Sequence, residues 1–110
     1  MSIFTVGLQG ERRAGRYLRL QGYRILERRF RTRHGEIDLI ARDGETVVFV
    51  EVKTRPKGQA GDGLRAVNRD KQDHLRYAAQ WYLRSHPAAQ ARFDVIEISR
   101  GGVRHIKNAF

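Results

Sequence analysis

A chain of 110 residues, 40% hydrophobic and 31% charged, has apolar material for one modest core and little for a second module. It holds no cysteine, which excludes disulfides and thiolate metal sites, and no run of about 18 apolar residues that could span a membrane. The 22 Lys and Arg against 12 Asp and Glu give a net charge of +10, which favours a polyanionic partner. No segment pairs a basic face with a strongly aromatic one, so a membrane partner is not expected. The N-terminus, MSIFTVGLQGERR, lacks the charged, apolar, small-residue order of a secretory signal, so a cytoplasmic location and a single domain over residues 1–110 are the expectation.

In chain order, residues 6–21 read as a helix. Leu8, Ala14, Gly15 and Leu18 share one face at 3.6 spacing, and Glu11 falls on that same face. Gly22 is a stop signal. Residues 23–31 read as a strand, and TRHG marks a turn. Residues 36–42 read as a second strand, with Ile37 and Leu39 on one face and Glu36, Asp38 and Ile40 on the other. Asp43-Gly44 is a hairpin signal. Residues 45–54 contain the run VVFV, the pattern of a central strand buried on both faces. A loop rich in Gly and basic groups follows, and Asn68 or Asp70 opens a second helix over 69–85. Its apolar stripe is Leu75, Ala78, Ala79 and Tyr82, and His86-Pro87 ends it. Residues 92–99 give a fourth strand and 103–110 an edge strand after Gly101-Gly102. The order α-β-β-β-α-β(-β) predicts an α/β domain with a central mixed sheet flanked by helices.

Within the run GEIDLIARDGETVVFVEVK, Glu36, Asp38, Glu51 and Lys53 stand among residues that otherwise look like core. Glu51 and Lys53 point the same way, and the hairpin makes their strand a neighbour of the one carrying Asp38. If register permits, Asp38 and Glu51 meet on one face. Close carboxylates repel, and burying them costs roughly several kcal/mol unless a cation neutralises them. A divalent metal does that, and it can activate water against a phosphate. A lysine beside it can orient the attacking water or offset transition-state charge. The competing reading is a set of ordinary charges on a wet sheet face, which accounts equally well for each residue taken singly.

An acid on the first helix, an aspartate on a core strand and Glu-x-Lys on the next strand resemble the PD-(D/E)XK nuclease superfamily. More closely, GERRAGRYLRLQGYRIL, RTRHGEIDLIARDG, VVFVEVKTR, VNRDKQ and HIKNAF resemble the YraN family of small bacterial proteins, over essentially the whole chain. The resemblance implies a restriction-endonuclease-like core. It also implies that Asp38 and Glu51 ligate Mg²⁺ or Mn²⁺ with the Val52 backbone carbonyl, that Lys53 is the catalytic lysine, and that Glu11 reaches the metal through water. Glu36 and Gln72 are further candidates. The chain departs from the superfamily pattern at three places. Ile37 stands where a proline precedes the aspartate. Gln72 is followed by Tyr77, one residue beyond the Gln-x-x-x-Tyr spacing of the RecB-like branch. Arg29 stands where an asparagine is expected.

The basic residues Arg31, Arg33, Arg55, Lys57 and Lys71 flank the acidic group in sequence and suit phosphates, although dispersed solubilising charge explains any one of them equally well. Tyr77, Trp81 and Tyr82 are read as core or interface residues, with base stacking as the lesser reading. The four histidines show no zinc spacing, and there is no phosphate loop, dinucleotide fingerprint or serine elbow. The resulting expectation is a metal-dependent endonuclease acting on DNA, branched or junction DNA by analogy with small archaeal resolvases, and working as a homodimer. The other expectations are a non-catalytic nucleic-acid-binding or repair-accessory protein, and an RNA endonuclease.

Overall fold

The computed structural model describes residues 3–55 and 67–110. Among these the order is α1 (Ile3–Leu20), β1 (Arg24–Arg31), β2 (Glu36–Asp43), β3 (Thr46–Arg55), α2 (Arg69–Ser85), β4 (Gln90–Ser99) and β5 (Gly102–Ile106). The five strands form one mixed sheet in sequential order. Strands β3 and β4 run parallel, as a connection through α2 requires, and the other neighbours are antiparallel. The predicted α/β layering and element order are therefore observed. The fourth strand starts at Gln90, two residues before the sequence pattern suggests, because its first residues pair with Thr46 and Val47 despite being exposed.

The sheet carries a core on each face. Ala14 and Leu18 of α1 pack with Leu39, Ala41, Val48, Val50, Ile96 and Ile98. On the other face Leu75, Ala78, Ala79 and Tyr82 of α2 pack with Ile37, Ile40, Phe49 and Val95. These four α2 residues are the stripe read from the sequence. Strand β3 is third of five and Val47, Val48, Phe49 and Val50 are all buried, as its VVFV run implies. Helix α1 ends where expected. Gly22 takes φ +93°, and the Tyr23 N–H returns to the Leu18 carbonyl at 2.9 Å, which satisfies a terminal carbonyl through a left-handed glycine.

One face assignment is corrected. Ile37 packs with the α2 core and Leu39 with the α1 core, so the two do not share a face. The cause lies on the neighbouring strand. Arg29 adopts φ +53°, which breaks the alternation of β1 opposite Asp38, between the pairs Arg28↔Leu39 and Phe30↔Ile37. No helix of the described residues is long and apolar enough to cross a membrane.

Candidate acidic site at the end of the central strands

Strands β2 and β3 pair from Asp43↔Thr46 down to Leu39↔Val50. Extending that register by one step sets Asp38 across from Glu51. The ladder stops there, and the freed Val52 N–H donates instead to the Asp38 carboxylate at 2.8 Å. Meanwhile β3 continues its parallel pairing with β4 as far as Arg55↔Ser99. The splayed end of the hairpin thus lies at the C-terminal side of the parallel pair, the place where open α/β sheets gather ligands. The two carboxylates are close enough for the charge of Glu51 to act on Asp38, although their pairing lies one step beyond the ladder.

Glu51 follows Phe49 on the face covered by α2 and is 4% exposed. Two ammonium groups converge on one of its oxygens, Lys71 at 2.8 Å and Lys53 at 3.3 Å. Lys53 reaches it from two residues along β3. Lys71 comes from the first turn of α2, where Asn68 caps the helix by accepting the Lys71 N–H at 2.9 Å. The cap therefore fixes the backbone from which Lys71 reaches down to the sheet. Glu11, on α1, is held by Arg29 at 2.8 Å, so the strained β1 residue opposite Asp38 ties the helix acid beside the site.

The electrostatics of the cluster are uneven. Burial, reinforced by the charges of Glu51 and Glu11, pushes the Asp38 carboxyl up to about 7, against the pull of the Val52 N–H and of Lys71. Burial lowers the Lys53 ammonium, and Lys71 beside it adds to the lowering while Glu51 opposes it. Burial also works against Lys71, but the bond and charge of Glu51 outweigh it and raise that group. Two lysines sharing one carboxylate oxygen thus divide unequally, with Lys71 the firmly charged one.

The remaining sequence candidates are less closely engaged. Glu36 is exposed and makes a 3.7 Å contact with Arg31, at the rim. Gln72 donates its amide to the Val67 carbonyl at 3.1 Å and so braces the start of α2; it is not brought to the carboxylates by any bond. Arg33 is exposed in the β1–β2 turn, and Arg55 is half-buried at the end of β3. Lys57 lies outside the described residues. Among the described residues no three acids or histidines approach closely enough to form a metal cage, so the site is a carboxylate pair with Glu11 nearby.

The sequence reading missed two buried acids on β4. Asp94 and Glu97 are both 0% exposed. Glu97 is the parallel-register partner of Lys53, which brings a further carboxylate-bearing residue beside the site. Asp94 sits at the other end, bonded to Arg92, to His105 at 2.6 Å and to the Asn108 N–H at 3.0 Å. The available signal was two acids inside the apolar strand FDVIEIS.

Comparison with known proteins is consistent along the whole chain. Curated relatives named UPF0102 protein from Geobacter metallireducens and Chlorobium chlorochromatii are each 48% identical, covering 96% and 99% of this chain and 92% and 93% of theirs. One from Persephonella marina is also 48% identical, over 94% of this chain and 91% of its own. The profile of the family described as "Uncharacterised protein family UPF0102" matches residues 10–98, a span that takes in Glu11, Asp38, Glu51, Lys53 and Lys71, and the chain belongs to that family.

Proposed function

We propose that the chain is a divalent-metal-dependent endonuclease that hydrolyses phosphodiester bonds of nucleic acid, with DNA preferred to RNA, on a restriction-endonuclease-like core. The observation that carries this reading is Asp38. A half-buried carboxylate beside a second, buried carboxylate is held near neutral pKa with one backbone N–H for support. Such an arrangement is costly for stability alone and is relieved by a cation. The donors are all oxygen and few, which suits Mg²⁺ or Mn²⁺, ions that keep several waters of their own. Asp38 and Glu51 would hold the ion, with the Val52 carbonyl as a third ligand and Glu11 contributing through water. When bound, the ion supplies Lewis acidity and counter-charge for the phosphate.

The chain's own residues supply the rest. Lys53, lowered by burial and 3.3 Å from Glu51, is placed to orient the attacking water. Lys71, raised by Glu51, would offset charge on the phosphate. Arg31, Arg33 and Arg55 ring the same end of the sheet and hold neighbouring phosphates. Incision of a symmetric substrate would use two copies, and a monomer in light scattering at working concentration counts against that part of the reading.

The test incubates the protein with end-labelled four-way junction, flap, duplex, single-stranded DNA and RNA, in EDTA, Mg²⁺ or Mn²⁺. Cutting that requires metal and disappears in Asp38→Ala and Lys53→Ala supports the proposal. A second reading rests on the Lys71–Glu51 contact, which neutralises Glu51 without metal. On that reading the chain is a nucleic-acid-binding module, and tight binding without cutting, unchanged by both substitutions, is its signature.

A further inference from the structure

Helix α2 has a second stripe, separate from its core face. Tyr77, Trp81 and Arg84 recur at i, i+4 and i+7 and so line one flank of the helix. His34, in the β1–β2 turn, extends the row. Its ring centroid lies 5.1 Å from that of Tyr77 at 72°, and Tyr77 lies 6.4 Å from Trp81 at 63°. The Arg84 guanidinium sits 4.4 Å over the Trp81 ring. The turn is pressed onto the helix because Gly35 has no side chain: a Cβ there would collide with the His74 carbonyl.

This row is not needed by the core. Tyr82, the next residue after Trp81, is 4% exposed and packs with Phe30 and Phe49, whereas Trp81 is 44% exposed. An exposed tryptophan whose aromatic neighbour meets it edge-on, and which Arg84 covers on one side, keeps its other face for a flat ring such as a nucleobase. The charge around it is positive on balance: Asp73, one turn before Tyr77, is met by Arg69 at 3.6 Å and Arg76 at 3.8 Å, and Glu36 by Arg31 at 3.7 Å. Arg31 and Arg33 are exposed on the strand end and turn that carry His34, and Arg84 closes the far end. Lys71 and Trp81 are ten residues apart on one helix, so about 15 Å of axis joins the acidic site to the end of the row.

We propose that His34, Tyr77 and Trp81 form a stacking platform for unpaired bases of a nucleic-acid strand, with Arg31, Arg33 and Arg84 holding its phosphates. The proposal rests on the nucleic-acid reading given above and narrows it to substrates with single-stranded character. An intact duplex keeps its base faces stacked inside and cannot offer them to the row, whereas a frayed, flapped or single strand can. The net charge of +10 and the three flanking guanidiniums select a polyanion over an ordinary protein partner.

Trp81 is the only tryptophan in the chain, so intrinsic fluorescence reports on the row directly. The full chain is titrated in EDTA, where no turnover occurs, with oligo(dT), oligo(rU), blunt duplex and inorganic polyphosphate. Quenching of at least about twofold by oligo(dT) or oligo(rU), with little change from duplex or polyphosphate, is the expected result. Trp81→Ala and Tyr77→Leu, followed with a dye-labelled strand, should each weaken single-strand binding by about tenfold and leave duplex binding alone. Equal quenching by polyphosphate overturns the proposal, because charge without bases then suffices. So does a fluorescence change that follows protein concentration without nucleic acid, since a second copy then covers the row. Undiminished single-strand binding and cutting by both variants removes the platform while leaving the nuclease reading intact. Loss of binding to every nucleic acid by the unaltered chain removes both.

Discussion

Replacing Asp38 by asparagine should stabilise the metal-free protein at neutral and higher pH. The amide keeps an oxygen for the Val52 N–H and removes the charge that Glu51 and Glu11 oppose. In the native sequence the carboxyl moves from an ordinary value of 3.8 to about 7 in the folded state. Each unit is worth about 1.4 kcal/mol, so the ionised form costs the fold up to about 4 kcal/mol once the pH exceeds 7. The sign follows from proton uptake. Between pH 4 and 7 the folded chain holds a proton on Asp38 that the unfolded chain has lost, so this group's contribution to stability falls as pH rises through that window. Below pH 4 both states are protonated and the penalty vanishes. Urea unfolding in EDTA at pH 5, 6, 7 and 8 should therefore show Asp38→Asn ahead of the native sequence at pH 8, with a gap that closes towards pH 5. Excess Mg²⁺ or Mn²⁺ should close the same gap at pH 8 by stabilising the native sequence alone. A variant no more stable than the native chain at pH 8 refutes the reasoning, because the carboxylate would then be comfortable where it sits and would need no cation.

Three further outcomes follow from other contacts. Glu11→Gln should cost about 1–2 kcal/mol by breaking the half-buried pair with Arg29, and should also lower the Asp38 pKa, read by carboxyl NMR titration. Asn68→Ala should cost about 1 kcal/mol in urea unfolding and loosen Lys71 from Glu51, seen as a fall in the Lys71 pKa. Asp94→Asn should cost about 3 kcal/mol, since the partly buried Arg92 loses one of its two carboxylates and keeps only Asp43. Asp94 is held below its usual value despite burial, by His105, Arg92 and the Asn108 N–H. Its stabilisation is present above the unfolded carboxyl pKa and is lost as pH falls through the folded one, so the native chain should lose stability on acidification more steeply than Asp94→Asn.

Periodicity made the helices and strands legible because each has one or two apolar faces to bury. It located the α2 stripe and the central place of β3, and the DG turn set the hairpin register that brings Asp38 to Glu51. It could not show that β2 changes face between Ile37 and Leu39. That depends on Arg29 taking a left-handed conformation on the adjacent strand, and nothing in an arginine signals it. Nor could spacing show that Lys71 would reach Glu51. That contact joins residues twenty apart, and it exists because the Asn68 cap starts α2 directly over the end of β3. A longer separation in sequence hid His34 from Tyr77.

Two aspartates in apolar strands are provided for differently. Asp94 is 0% exposed, and its two oxygens receive bonds from Arg92, His105 and the Asn108 N–H. The His105 ring is in turn met by the Tyr17 hydroxyl at 3.2 Å, and Arg92 by the Tyr23 hydroxyl and Asp43. Every charge there has its counter-charge inside the protein, and the carboxyl is held low. Asp38 is more exposed and yet worse provided. Among the described residues one N–H is bonded to it and two other acids face it, while Lys71 and Arg29, which act on it through charge, make their ion pairs with Glu51 and Glu11. Folding alone would favour the first arrangement at both places. The network around Asp94 is complete within the protein, whereas Asp38 lies between two carboxylates at the open end of the parallel strands, and that is the arrangement the proposed metal binding would relieve. Whether divalent metal stabilises the native chain but not Asp38→Asn therefore bears on the origin of the whole acidic cluster, and equal stabilisation of both would assign that cluster to the scaffold with Asp94.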